Sequence, residues 1–450
     1  PDASKPTTTV NITYLVGSRH ENYGETGMAH LLEHMVFKST TSRSNIFEDL
    51  GKRGMDFNGT TSYDRTNYYE TFPANAENLK WALEMEADRM VNCLITRKDL
   101  DTEFSVVRNE MESGENSPIR TLWQRMTAAA FDWHNYGKST IGARSDVENV
   151  KIENLQNFYR KYYQPDNAVL LVAGKFDPTS TLEQIQKAFG GIAKPTRVLE
   201  PTYTQDPVQD GEREVTIRRT GDTQISAVFY HTPRGSHEDS GAVAALSEVF
   251  ASTPNGRLHK NLVEKKLAVS IMNLNMGLAE GGYVLFFAEL NKTQSLQQAR
   301  LALLQELEGL REKPVTEEEL KRAKDSLLSE IDSIINDPQQ LAVQLSESIA
   351  KGDWRLFFLQ RDRIENLKLA DLQSAGLNYF KESNRTLGQF IPTATPDRIK
   401  MPEAVDVAKL VADYKGKAAA SEGEVFDISP ANIEKRTQRL ALASGMKLIL

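Results

Sequence analysis

The chain has little of several things. It holds one cysteine, seven histidines and no positive charge excess, with a formal net charge of −8. The lone thiol, Cys93, cannot close an internal disulfide, so the fold does not depend on an oxidising compartment. Its neighbours form an apolar helical stretch, which implies a buried thiol. No run approaches the roughly 18 to 20 consecutive apolar residues of a membrane-spanning helix, and the N-terminus lacks a signal-peptide pattern. Basic clusters do not exceed short helical mixtures such as Lys321-Arg322-Ala323-Lys324, which argues against a nucleic-acid footprint. Apolar residues make up 40% and charged residues 26%, a globular rather than a disordered composition. At 450 residues the chain is longer than one core can grow, so two or more domains are expected.

Two of the scarce histidines stand together in Gly27-Met28-Ala29-His30-Leu31-Leu32-Glu33-His34-Met35-Val36-Phe37. Read as a helix, Met28, Leu31, Leu32, Met35 and Val36 form a core-facing stripe, and His30, Glu33, His34 and Phe37 the other face. Imidazoles four residues apart lie one turn apart on the same side, so their nitrogens can converge on one cation while Glu33 stands beside them. Imidazoles suit zinc, and a hydrolytic zinc site takes three protein ligands and leaves a position for water, whose pKa falls to about 7. Glu33 would take the proton of that water. The bland alternative is a pair of ordinary histidines on a solvated face; chance would produce His-x-x-Glu-His in about one such chain in a hundred. The pattern resembles the inverzincin signature.

A third ligand must come from elsewhere. Thr8 to Val16 reads as a strand, Asn45 to Gly51 as a short helix, and Phe57–Tyr63 and Thr66–Phe72 as strands joined by a turn at Asp64-Arg65. In a helix over Asn78 to Leu94, Glu86 shares the apolar stripe and must be paired or at an edge, a weak rival for metal. In the next helix, Arg97 to Gly114, Glu103 and Glu110 are close to two turns apart and border the stripe of Phe104, Val107 and Met111. Either glutamate fits, and solvated glutamates on a charged helix remain an alternative.

With these residues in view, the chain resembles the pitrilysin, insulin-degrading enzyme and mitochondrial processing peptidase family of zinc endopeptidases, in particular the front half of a large bacterial member. The resemblance implies that Glu110 is the third ligand and that Glu103 supports the site. It also implies that Asn58, Gly59 and Thr60 lie on an edge strand to which an extended peptide adds, with Gly59 letting another backbone come close. Ser39 departs from the glycine common in the family. Family members enclose substrate between two halves, and exported bacterial forms suggest a periplasmic location by analogy.

The second half repeats the plan of the first after roughly 215 residues. Gln224 to Tyr230 matches the first strand, and aligning Gly241 with Gly27 puts Ala244, Ser247 and Glu248 where His30, Glu33 and His34 stand. Ile364-Glu365-Asn366-Leu367 echoes Val147-Glu148-Asn149-Val150. The expected fold is therefore α+β, two duplicated domains, each a mainly antiparallel sheet packed with helices. A catalytic zinc-binding domain would occupy 1–195, a linker 196–211, a metal-free copy 212–397, and a connector with the first strand of a truncated following domain 398–450. Ala168 to Gly174 is a continuous apolar run suited to a buried strand, and Leu440 to Leu450 is a candidate to fill a sheet edge left vacant near the N-terminus. The expected function is a zinc-dependent endopeptidase acting on extended or unfolded peptides, completed by a second half or partner subunit. The competing class is a non-catalytic scaffold or partner subunit of a two-part peptidase.

Overall fold

The β-branched residues near the start of the chain become β1 (Thr7–Tyr14), an inner strand of the first of two main sheets. The computed structural model describes residues 1–417 and 426–450, so the expected polar connector through Gly423 lies partly outside the described residues. After β1 come α1 (Met28–Met35), α2 (Ile46–Lys52), β2 (Asp56–Thr61), β3 (Thr66–Pro73), α3 (Ala76–Asn92), α4 (Arg97–Glu115), α5 (Pro118–Ala130), α6 (Arg144–Asn149), α7 (Ile152–Tyr162), β4 (Ala168–Gly174) and α8 (Pro178–Phe189). The four strands form an antiparallel sheet in the order β2-β3-β1-β4.

The second sheet uses β5 (Arg213–Arg219), β6 (Thr223–Thr232), β7 (Ser270–Gly277), β8 (Gly282–Asn291) and β9 (Arg385–Pro392), with α9 (Ser240–Ala251) preceding β7. Between β8 and β9 lie α10 (Leu296–Glu308), α11 (Glu317–Asn336), α12 (Pro338–Ala350), α13 (Leu356–Asn366) and α14 (Leu369–Tyr379). The order is β5-β9-β6-β8-β7, antiparallel except for the parallel pair β5 and β9. The α+β class with two similar sheets is as expected. Residues 1–396 pack as one unit.

Two helices are exchanged between the halves. α12 packs on β1, β3 and β4, and α5 packs on β5, β6 and β9. The second contact is close: Leu122 and Met126 of α5 join Ile225, Ala227, Phe229, Tyr283, Leu285 and Phe390 in one core. Gly388 on β9 makes room for it, because a Cβ there would stand 2.2 Å from Met126 Sδ. The turn at Asp64-Arg65 adds polar ties. Asp64 accepts hydrogen bonds from Arg19 Nε at 2.7 Å, the Tyr136 hydroxyl at 2.7 Å and the Ala279 amide at 2.9 Å, and Arg65 pairs with Glu347.

α1 begins at Gly27, whose φ of +88° and whose distance of 2.5 Å from a would-be Cβ to the Ile141 carbonyl oxygen both require glycine. The buried carboxylate of Glu21 accepts the amides of Gly27 and Ala29 at 2.9 and 2.8 Å, satisfying donors at the helix start. Met28, Leu31, Leu32, Met35 and Val36 are all buried.

Three expectations are corrected. β4 is an edge strand, buried only at Ala173 and Gly174, because among the described residues the sheet has no strand beyond it. Cys93 falls just past the end of α3 rather than within a helix; the residue as a whole is half-buried, but its thiol is enclosed as expected, and burial pushes its pKa up to about 12. Residues 397–450 form a separate unit in which α15 (Val407–Val411) and α16 (Pro430–Arg436) precede β10 (Arg439–Ala441) and β11 (Lys447–Ile449). β10 pairs with β11 across a turn at Ser444-Gly445, so the short hairpin satisfies its own strand, and the four-stranded sheet includes neither.

His20, in the loop before α1, accepts the Gly17 amide on Nδ1 at 3.2 Å, and burial together with Arg19 lowers its pKa to about 4. The folded protein thus binds this proton less readily than the unfolded chain, whose histidine titrates near 6.5, and stability is lost as pH falls from about 6.5 toward 4. We expect His20→Gln to remove of order 2 kcal/mol of that loss, measured as the difference between the unfolding free energies of the two proteins at pH 7 and pH 4.

Candidate metal centre

α1 and α4 pack against each other, and their facing turns bring three ligating groups together. His30 and His34 are one turn apart with ring centroids separated by 4.8 Å. Glu110 of α4 places Oε2 3.6 Å from His30 Nε2 and 3.7 Å from His34 Nε2. Ligand atoms around a tetrahedral zinc stand about 3.3 to 3.4 Å apart, so the two carboxylate–imidazole distances are within a few tenths of an ångström of that spacing, and all three ligand atoms lie within 4.8 Å of one another. Two neutral imidazoles and a carboxylate also match the chemistry of a zinc site with one open position. Burial, and then the neighbouring His34, lower the His30 pKa to about 4, which leaves its lone pair available at neutral pH. Among the described residues this is the single cluster of three or more such side chains able to hold a metal.

Glu103 and Glu110 differ in what they touch. Glu103 is buried and accepts from His34 Nδ1 at 3.1 Å while Lys38 pairs with its other oxygen. That bond puts the His34 proton on Nδ1 and leaves Nε2 facing Glu110. Spacing left the two glutamates equivalent; the geometry does not. Glu86 is far from this role, fully buried and paired with Arg89, whose guanidinium lies 4.4 Å from the Tyr68 ring centroid.

Glu33 points across to β2, where the Thr61 hydroxyl donates to its Oε2 at 2.6 Å. Burial raises its pKa, opposed by the Thr61 hydrogen bond and by the positive field of Arg65. A Cβ on Gly59 would stand 3.0 Å from both Glu33 Cγ and Phe37 Cε2. The glycine therefore makes room for Glu33 of α1 and for Phe37 just beyond it. Asn58 is exposed, its Oδ1 accepting the Gly59 amide at 2.9 Å, and the Thr60 hydroxyl donates to Asn67. The sequence reading placed Thr61 only in the edge strand and missed its bond to Glu33, although it sits two residues from Gly59 and so on the same strand face. Lys38 escaped as well, since nothing local marks a lysine one turn past His34 as a partner for a distant glutamate.

β2 is the edge of its sheet. Ser62 donates its amide to the Arg65 carbonyl, so by alternation the amides of Thr60 and Asn58 face β3 and those of Phe57, Gly59 and Thr61 face outward. The edge opens on a cleft of about 540 Å³ that His30, Glu33 and Glu110 also line. In the second half, Ser247 bonds to the Val243 carbonyl and Glu248 accepts from Ser326, so the positions equivalent to Glu33 and His34 serve the helix packing.

The family model described as Insulinase (Peptidase family M16) matches residues 1–144, and the one described as Peptidase M16 inactive domain matches residues 149–327. The zinc protease PqqE of Helicobacter pylori is 31% identical over 386 residues, 84% of this chain and 86% of that protein. The chain belongs to the M16 peptidase family. Among solved structures, a protease from Helicobacter pylori superposes with a TM-score of 0.83 at 28% identity, covering 87% of this chain and 96% of that one. The periplasmic protease PqqL of Escherichia coli shares the fold, with a TM-score of 0.70 at 18% identity, and all of this chain matches 54% of that one. This M16 chain thus resembles both a protein of its own length and half of a longer one. No helix among its described residues is long and apolar enough to cross a membrane.

Glu103→Gln would leave the His34 ring without its carboxylate. Chelator competition should show zinc held about 10- to 100-fold more weakly, whereas His30→Ala should purify with little zinc by elemental analysis.

Proposed function

We propose that this M16 chain is a zinc-dependent endopeptidase that cuts extended or unfolded peptides. The observation that carries the reading is the meeting, in one cleft, of a three-ligand cluster, a separate half-buried carboxylate and an open sheet edge. Zinc held by His30, His34 and Glu110 would supply Lewis acidity to a scissile carbonyl and acidity to water. Glu33 acts as the general base. Thr61 holds Oε2, which leaves Oε1 to take the proton from the attacking water and return it to the leaving amine. Glu103 is a positioning residue that acts through His34. The outward amides of β2 recognise backbone and require a substrate free to become a strand.

A second reading, a non-catalytic partner subunit, draws on the match of residues 149–327 to a domain described as inactive. Glu33→Gln separates the two. On the enzyme reading the variant keeps its zinc and loses about 10²- to 10⁴-fold in kcat/KM on an unstructured peptide; unchanged cleavage would remove Glu33 from the mechanism.

The Glu110 side chain is 43% exposed, so the cleft lacks a cover. We infer that a second half, a partner subunit or a second copy closes it, in keeping with the likeness to one half of PqqL. Specific activity should rise with protein concentration, or on adding the partner, in step with assembly followed by light scattering. A flat profile at full activity would refute closure.

A further inference from the structure

Across the cleft from α1, its far wall is α5, which presents Arg120, Trp123, Gln124 and Thr127. Most of these side chains are already occupied. Trp123 Nε1 donates to the Tyr283 hydroxyl at 3.1 Å and Gln124 Nε2 donates to Ser139 at 3.1 Å. Arg120 is different. Among the described residues its guanidinium makes neither a hydrogen bond nor an ion pair; the residue's one side-chain partner is Ser117 Oγ, which accepts its backbone amide. Glu112, the acidic residue nearest Glu110 on α4, pairs instead with Arg108 and Arg144.

The exposed Arg120 side chain lies against the end of α4. Gly114 of α4 has no side chain, and Arg120 folds over it, with Nη1 3.9 Å and Cδ 4.0 Å from where a Cβ would be. Gly114 follows Glu110 by four residues, hence on the same face of α4 and about 6 Å farther along it. Same-face side chains of an extended peptide repeat at about 6.6 Å. Arg120 is also the one basic residue among those lining the cleft, whose other charged members, Glu33 and Glu110, belong to the metal end.

We propose that Arg120 selects substrates with a carboxylate one or two residues from the scissile bond. This rests on the peptidase reading for its catalytic meaning, but the recognition itself is a binding event. An exposed, unpaired guanidinium lying over Gly114 offers a carboxylate a forked, charge-assisted hydrogen bond, which no other group in the cleft provides. The carboxylate can belong to an aspartate or glutamate side chain or to the C-terminus of a short peptide.

The test uses two readouts. In the first, zinc-loaded full-length protein is given a neutral, end-blocked peptide and variants with a single glutamate or glutamine at each position around the cleavage point. Wild-type kcat/KM should favour glutamate over glutamine about tenfold at one position, Arg120→Ala should bring the ratio to about one, and Arg120→Glu should favour lysine there. In the second, Glu33→Gln protein, with and without Arg120→Ala, binds the same peptides labelled with a fluorophore and followed by anisotropy. The same ratios should appear in Kd and shrink as salt is raised. Unblocked peptides form a third arm, and a preference confined to them assigns the carboxylate to the terminus. Equal binding of glutamate and glutamine peptides with blocked and unblocked ends alike, or a preference that survives Arg120→Ala, overturns the proposal. If the wild type binds with this preference but cuts nothing, the recognition stands and the peptidase reading falls.

Discussion

The bond between Glu103 and His34 is the constraint on which the centre depends. A buried carboxylate is costly unless its oxygens are satisfied, and here they are satisfied by His34 and Lys38, both on the segment formed by α1 and the residues after it. Glu103 can therefore be buried only when α4 lies against α1 in one register. In that register Glu110, two turns farther on, meets both imidazoles on the correct nitrogen. The same bond sets the tautomer of one ligand and the position of another. Beside it on the same cleft, Gly59 lets β2 approach α1 until Thr61 reaches Glu33. The helix with the motif is thus gripped from two directions, by a carboxylate and by an absent side chain.

Much of this was legible in the residues themselves, for a physical reason. Periodicity is local, so the buried stripe of α1 and the facing histidines could be read within one window, as could the hairpin and the α+β pattern repeated in the second half. The resemblance then implied which glutamate belongs to which role, a choice the seven-residue spacing left open. What could not be read was set by partners distant in sequence. The β4 run looked as apolar as a central strand, but its exposure depends on whether another strand lies beyond it, and among the described residues none does. The terminal strand was expected at a sheet edge near the N-terminus and pairs instead with a strand a few residues away. Asp64 and Arg65 read as a simple turn, yet they carry contacts to Arg19, Tyr136, Ala279 and Glu347 that no local pattern announces.

The second half contains the same kind of sheet and helix without the ligands. It is nevertheless built into the centre, because the helix exchange leaves neither sheet covered by its own elements alone. α5 has two faces with different tasks. Leu122 and Met126 are embedded among the strands of the second sheet, while Arg120 and Gln124 face the cleft.

This arrangement has an evolutionary consequence. A duplicated half that lost its chemistry would ordinarily be free to accumulate change, limited only by its own stability. Here a substitution at Phe229 or Tyr283, under the seat of α5, would tilt a wall of the cleft in the other half. Selection on the geometry of the cleft therefore reaches into a sheet that carries none of the three ligating side chains, and the copy without them keeps its shape as the mould in which the first half is held.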